Sequence, residues 1–139
     1  MIYSFLQNGD SAVTVQFQNE ISKEVNSQVT ALCDRLEAKH IDGVIELVPT
    51  FASLTVFYDC SVISSKKLKK KIEALIRDGE SHAKGAARVW NIPVCYDDEF
   101  ALDMETVCSH TKLTREEVIA LHTSKPYLIY MLGFLPGFA

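Results

Sequence analysis

The chain has 139 residues, 47% of them hydrophobic and 23% charged, with a formal net charge of −4. That size allows one ordinary domain or two small ones, and the composition is that of a folded chain, not a disordered one. The acidic balance excludes a nucleic-acid binder that relies on overall charge, and no apolar run approaches the ~18 residues of a membrane span.

The N-terminus lacks the basic start and long apolar stretch of a signal peptide, so a cytoplasmic location is expected. Residues 2–7 read as a strand, and Asn8-Gly9 is a tight-turn dipeptide. From Ser11 to Phe17 the pattern alternates, with Val13, Val15 and Phe17 on one face. An amphipathic helix is predicted over about 20–39, with Ile21, Val25, Val29, Leu32 and Leu36 on one stripe. Gly43 ends it. Strands follow at Val44–Val48 and Ser53–Tyr58, divided by Pro49-Thr50. A second helix is predicted over about 65–79, with Leu68, Ile72, Leu75 and Ile76 inward and Lys66, Lys67, Lys69, Lys70 and Lys71 outward. The lysines fit an anion or partner site, and fit a solvated helix face better.

Two strands and a helix, repeated, make an α+β two-layer sandwich over residues 1–83, with both helices on one face of a mainly antiparallel sheet. Residues 77–88 are small and polar and read as a linker. A second domain would then run over 84–139. Val89–Tyr96 is predicted as a strand interrupted by Pro93, and Asp97, Asp98 and Glu99 as an acidic turn. Asp103 is placed to cap a short helix, Met104–His110. Thr114 and Glu117 form a capping-box pattern for a helix over 115–122, with Leu113 and Val118 at the staple positions. Tyr127–Leu132 is an uninterrupted apolar run, predicted as a strand, and Pro136-Gly137 fits a type II turn. A hydrophobic strand and turn so close to Ala139 lead to the expectation that the chain is the front part of a longer protein, able to self-associate through that strand.

The residues alone assemble no self-sufficient catalytic set. Cys108, His110 and His122 are the only soft-ligand cluster, without an evident fourth ligand, so no metal is expected. Cys95 with His122 lacks the sequence context of an activated nucleophile, and the four cysteines are expected to be free and mostly buried. The acids Asp97, Asp98, Glu99 and Asp103 read as a solvated turn. Residues 103–122 lack the basic second helix that DNA binding requires.

Several segments, in this order, resemble one family: Gly9-Asp10-Ser11-Ala12-Val13, Val48-Pro49-Thr50, Ile92-Pro93-Val94-Cys95-Tyr96, Glu117 to His122, and above all Gly133-Phe134-Leu135-Pro136-Gly137-Phe138. The chain resembles the B subunit of the bacterial 5-oxoprolinase, a family also labelled allophanate hydrolase subunit 1 or sporulation kinase inhibitor (Kip inhibitor)-like. The resemblance implies that the second domain begins a cyclophilin-like β-barrel. It implies an ATP-dependent hydrolysis of 5-oxoproline to glutamate, carried out with the C and A subunits of 5-oxoprolinase, with ATP and a divalent metal used by the complex and no cofactor held by this chain alone. It also implies two alternatives: an inhibitor that binds a sensor histidine kinase, or a component of the urea carboxylase or allophanate hydrolase type. His122, Gly133, Phe134, Pro136, Gly137 and Phe138 are the candidate substrate- or partner-binding residues. Read without the family, Gly133, Pro136 and Gly137 shape the backbone, while His122 lines a pocket or faces the end of its helix.

Overall fold

The computed structural model describes residues 2–79 and 88–133. The chain divides into two compact units, Met1–Ala83 with Ile129–Ala139, and Lys84–Leu128. Most of the predicted linker lies outside the described residues.

In the first unit, strands β1 (Tyr3–Asn8) and β2 (Ala12–Phe17), helix α1 (Lys23–Lys39), strands β3 (Val44–Pro49) and β4 (Ser53–Tyr58) and helix α2 (Ser65–Arg77) follow in chain order. The four strands form one antiparallel sheet in the order β1-β2-β4-β3. The unit is therefore α+β. Period-2 patterning sends Val13, Val15, Phe17, Leu54, Val56 and Tyr58 to the helix-covered face, where they meet Val29, Leu32, Leu36, Leu68 and Ile72. Each large aliphatic side chain buried here contributes about 1.5–3 kcal/mol.

Serine caps set both helix starts. Ser22 accepts from the Val25 amide at 3.1 Å, and Ser64 from the Lys67 amide at 3.4 Å. The first cap corrects the predicted start of α1. The apolar stripe runs back to Ile21, but that residue precedes the cap and is 72% exposed. The helix ends on His40, which takes a left-handed φ of 43°, rather than on Gly43. Gly43 instead turns the chain into β3 with φ +87°, and a Cβ there would lie 2.8 Å from Ile63 Cγ2. Backbone geometry and space both demand glycine at this turn.

Thr14 departs from simple alternation: it points away from the helices and is still buried. Its hydroxyl lies 2.8 Å from that of Thr55 and accepts from Asn8 Nδ2 at 2.6 Å, so a polar cross-strand row closes over it. The cysteines are free but less buried than expected. Cys33 is buried, whereas Cys60 and Cys95 are exposed. Burial, reinforced by Glu37 and Asp34, pushes the Cys33 thiol up to about 11.

In the second unit, helices α3 (Met104–Thr111) and α4 (Arg115–Thr123) are the regular elements among the described residues. Asp103 stands at the N-cap position of α3 but its side chain makes no capping bond, against expectation. Val89–Tyr96 is not a strand, and neither is Tyr127–Leu132. A strand exists only through its ladder, and among the described residues no partner strand lies beside either segment. Pro93 removes a donor from the first. The expected barrel opening and the expected self-association through a terminal strand therefore have no strand to act through among the described residues.

Candidate functional site

Helix α4 organises the candidate site. The Glu117 amide donates to Thr114 Oγ1 at 3.3 Å, and the Thr114 amide donates to Glu117 Oε2 at 2.8 Å, completing the predicted capping box. This fixes Arg115 as the first helical residue and puts His122 in the last turn. The two are seven residues apart, close to two helical turns, so they share a face.

Both reach the segment Tyr96–Asp98. Arg115 Nη1 donates to Asp98 Oδ1 at 2.6 Å, and Arg115 Nη2 donates to the Tyr96 carbonyl. At the other end of the helix the Tyr96 hydroxyl is hydrogen-bonded to His122 Nδ1. The Tyr96 and His122 rings meet edge to face, with centroids 5.9 Å apart. Tyr127 approaches the imidazole at 5.7 Å, and Lys125 Nζ lies 6.0 Å from the Tyr127 ring. The Arg115–Asp98 pair is solvent-exposed on the Asp98 side, so its contribution is positional more than energetic.

The arrangement presents an imidazole held through one nitrogen by a phenol. With Nδ1 engaged, Nε2 is the nitrogen left for a ligand or a proton. His122 takes Tyr96 as its partner rather than the neighbouring Cys95. Sequence reading singled out His122 and missed Tyr96, Arg115 and Tyr127. The Arg115–His122 spacing was a usable signal for a shared helix face, but the segment that face engages lies 26 residues from His122 in sequence.

Gly133 is described; Phe134, Pro136, Gly137 and Phe138 lie outside the described residues. Gly133 has no left-handed φ, and a Cβ there would meet Met131 Cε at an ordinary 3.8 Å. The expectation that glycine shapes the backbone at 133 is not met. In the first unit, the Asn26 side-chain amide donates to the Tyr130 carbonyl at 3.0 Å, tying the chain before Gly133 to α1.

Among the described residues, open concavities of the first unit include two broad ones. One, of about 270 Å³, lies by Tyr3 and Phe17. The other, of about 720 Å³, lies where α1 turns into β3 and is bordered by Glu37, His40, Asp42 and Glu46. Neither is lined by His122 or Gly133. Among the described residues no group of three or more His, Cys, Asp or Glu side chains is placed to hold a metal ion. No described helix is long and apolar enough to cross a membrane.

Residues 3–139 match the family described as carboxyltransferase domain, subdomain C and D. Over 98% of its length the chain is 40% identical to the B subunit of 5-oxoprolinase from Bacillus subtilis (strain 168), of which it covers 61%. Across three relatives of that name the chain spans 58% to 61% of their length. Among solved structures, a conserved uncharacterized protein from Pyrococcus horikoshii is 31% identical with a TM-score of 0.51, over 95% of this chain and 60% of that one. The Kluyveromyces lactis urea carboxylase shares the fold, with a TM-score of 0.69 at 19% identity, over 94% of this chain and 14% of that one. The chain thus belongs to the carboxyltransferase subdomain C and D family, among relatives named as the B subunit of 5-oxoprolinase.

Proposed function

We propose that this protein acts as the B-type subunit of a cytoplasmic, ATP-dependent 5-oxoprolinase that opens 5-oxoproline to glutamate together with the C and A subunits. The observation that carries this reading is the 40% identity to the Bacillus subtilis B subunit, which runs through 98% of the chain. The second unit supports an assembled state. Val89, Ile92, Val94, Tyr127 and Leu128 are large, apolar and exposed there, as surfaces awaiting a protein partner are.

Opening a lactam with ATP needs the amide oxygen activated by phosphoryl transfer before water attacks. The described residues do not fit a nucleotide–metal site. The sequence has no glycine-rich phosphate loop of the Gly-x-x-x-x-Gly-Lys type, and no metal-ligand group forms among the described residues. On this reading the nucleotide is held elsewhere in the assembly. What this chain offers is the hydrogen-bonded Tyr96–His122 pair, suited to orienting a carbonyl or carboxylate. The residues proposed to contact substrate or partner are His122 in the second unit and, separately, Gly133, Phe134, Pro136, Gly137 and Phe138.

The test is affinity purification of the full-length protein from its own cells, with a deletion strain grown on 5-oxoproline. Co-purification of the cyclophilin-like C subunit and of the A subunit, with growth lost on deletion, is expected. Recovery of a sensor histidine kinase in their place, with growth unchanged, overturns the enzyme reading in favour of a kinase inhibitor.

A further inference from the structure

The chemistry of His122 turns on which partner supplies the proton shared by the Tyr96 hydroxyl and Nδ1. A proton given by Nδ1 leaves a lone pair on Nε2, the form that acts as a base or a metal ligand. A proton given by the phenol leaves hydrogen on Nε2, the form that donates to an oxygen.

The segment that faces α4 carries two stronger acceptors than a phenol, the Tyr96 carbonyl and the Asp98 carboxylate. Groups of these two kinds are the usual partners of an imidazole Nδ1–H. Arg115 engages both, the carbonyl through Nη2 and the carboxylate through Nη1 at 2.6 Å. The group left for the imidazole is the phenol. A phenol, with an ordinary pKa of about 10, is a good donor and a weak acceptor, whereas an unprotonated imidazole nitrogen is a good acceptor. The pairing therefore favours the proton on the Tyr96 oxygen.

Arg115 also breaks a local rule. It is the first residue of α4, where the helix dipole disfavours a cation, while Glu116 and Glu117 beside it are placed as the dipole prefers. Helix stability does not account for a guanidinium at that position. Its forked grip on Tyr96 and Asp98 does.

We infer that His122 is held with hydrogen on Nε2, as a hydrogen-bond donor to a carbonyl or carboxylate oxygen of the ligand, and that Arg115 is the positioning residue that enforces this form by fixing Tyr96. Such a donor stabilises charge that develops on an oxygen. The position of the hydrogen concerns this chain alone; that the oxygen belongs to 5-oxoproline rests on the oxoprolinase reading.

The test is heteronuclear NMR of the imidazole nitrogens in the isotopically labelled full-length protein, at a pH well above the ordinary histidine value of about 6.5. The His122 signals are assigned by their loss in His122→Gln. A pyridine-type Nδ1 and a pyrrole-type Nε2 are expected. Tyr96→Phe and Arg115→Ala should each move both nitrogens towards the average of the two forms, as in a free side chain. Arg115→Lys, which keeps the charge without the fork, should move them in the same sense by less. A pyrrole-type Nδ1 in the native protein overturns the inference. So does a His122 spectrum indifferent to Arg115→Ala, or indifferent to Arg115→Lys if the α4 amide signals show that the alanine variant loses its helix. Hydrolysis of 5-oxoproline plays no part in this readout, so the inference and the oxoprolinase reading fail separately.

Discussion

The Tyr96 hydroxyl is hydrogen-bonded to Nδ1 of His122, at the opposite end of α4 from the point where Arg115 grips the Tyr96 carbonyl. One residue is thus held at its backbone by the start of a helix and at its side chain by the end of the same helix. If this pair works as a unit in the assembled enzyme, the effects of Tyr96→Phe and His122→Ala will not add. We expect His122→Ala to lower kcat/KM about tenfold, Tyr96→Phe to lower it by a smaller factor, and the double variant to match His122→Ala alone. Independent, multiplying losses in steady-state assays of the complex would separate the two residues.

Among the described glycines, Gly43 has the least room for a side chain. Gly43→Ala meets both a left-handed backbone and the Ile63 and Val62 side chains, the nearest of them 2.8 Å away. It should destabilise the first unit by about 2–4 kcal/mol. Chemical denaturation checks this. A loss below about 1 kcal/mol would mean that the turn rearranges.

Thr114→Ala removes the hydroxyl that accepts from the Glu117 amide. The expected cost is about 1 kcal/mol, felt as faster amide exchange through α4 while α1 and α2 are unaffected. Uniform exchange changes in both units would contradict this.

The thiols give a pH prediction. The Cys33 thiol is raised above its ordinary value by burial and by the nearby Glu37 and Asp34 carboxylates, so the native state holds that proton more tightly than the unfolded chain. Its stabilising contribution is complete below the unfolded value of 9.0 and is lost as pH rises towards about 11. At pH 8, Cys60 and Cys95 should alkylate rapidly and Cys33 only on unfolding. Mass spectrometry of the labelled peptides checks the order. Within the pH 9–11 window, Cys33→Ser should flatten the decline in stability.

Much of the first unit was legible because its physics is local. Leu68, Ile72 and Ile76 recur at helical spacing and Val13, Val15 and Phe17 at strand spacing, whereas the Ser22 cap that starts α1 was missed because the apolar stripe runs on past it to Ile21. The α+β class followed from that alternation of elements. Strand order did not, because local patterning does not say that β4, rather than β1, separates β2 from β3. Val89–Tyr96 and Tyr127–Leu132 were misread for a related reason: an apolar run states that a surface will be covered, not what covers it. The site was half legible. His122 stood out as an ionisable group in a capped helix, while Tyr96, its partner, looked like one more apolar residue in a supposed strand.

The most direct test is reconstitution of 5-oxoproline hydrolysis from the two partner subunits with and without this protein. ATP-dependent release of glutamate that requires this chain is the predicted result. Full activity without it, or no glutamate with all three present, would contradict the assignment.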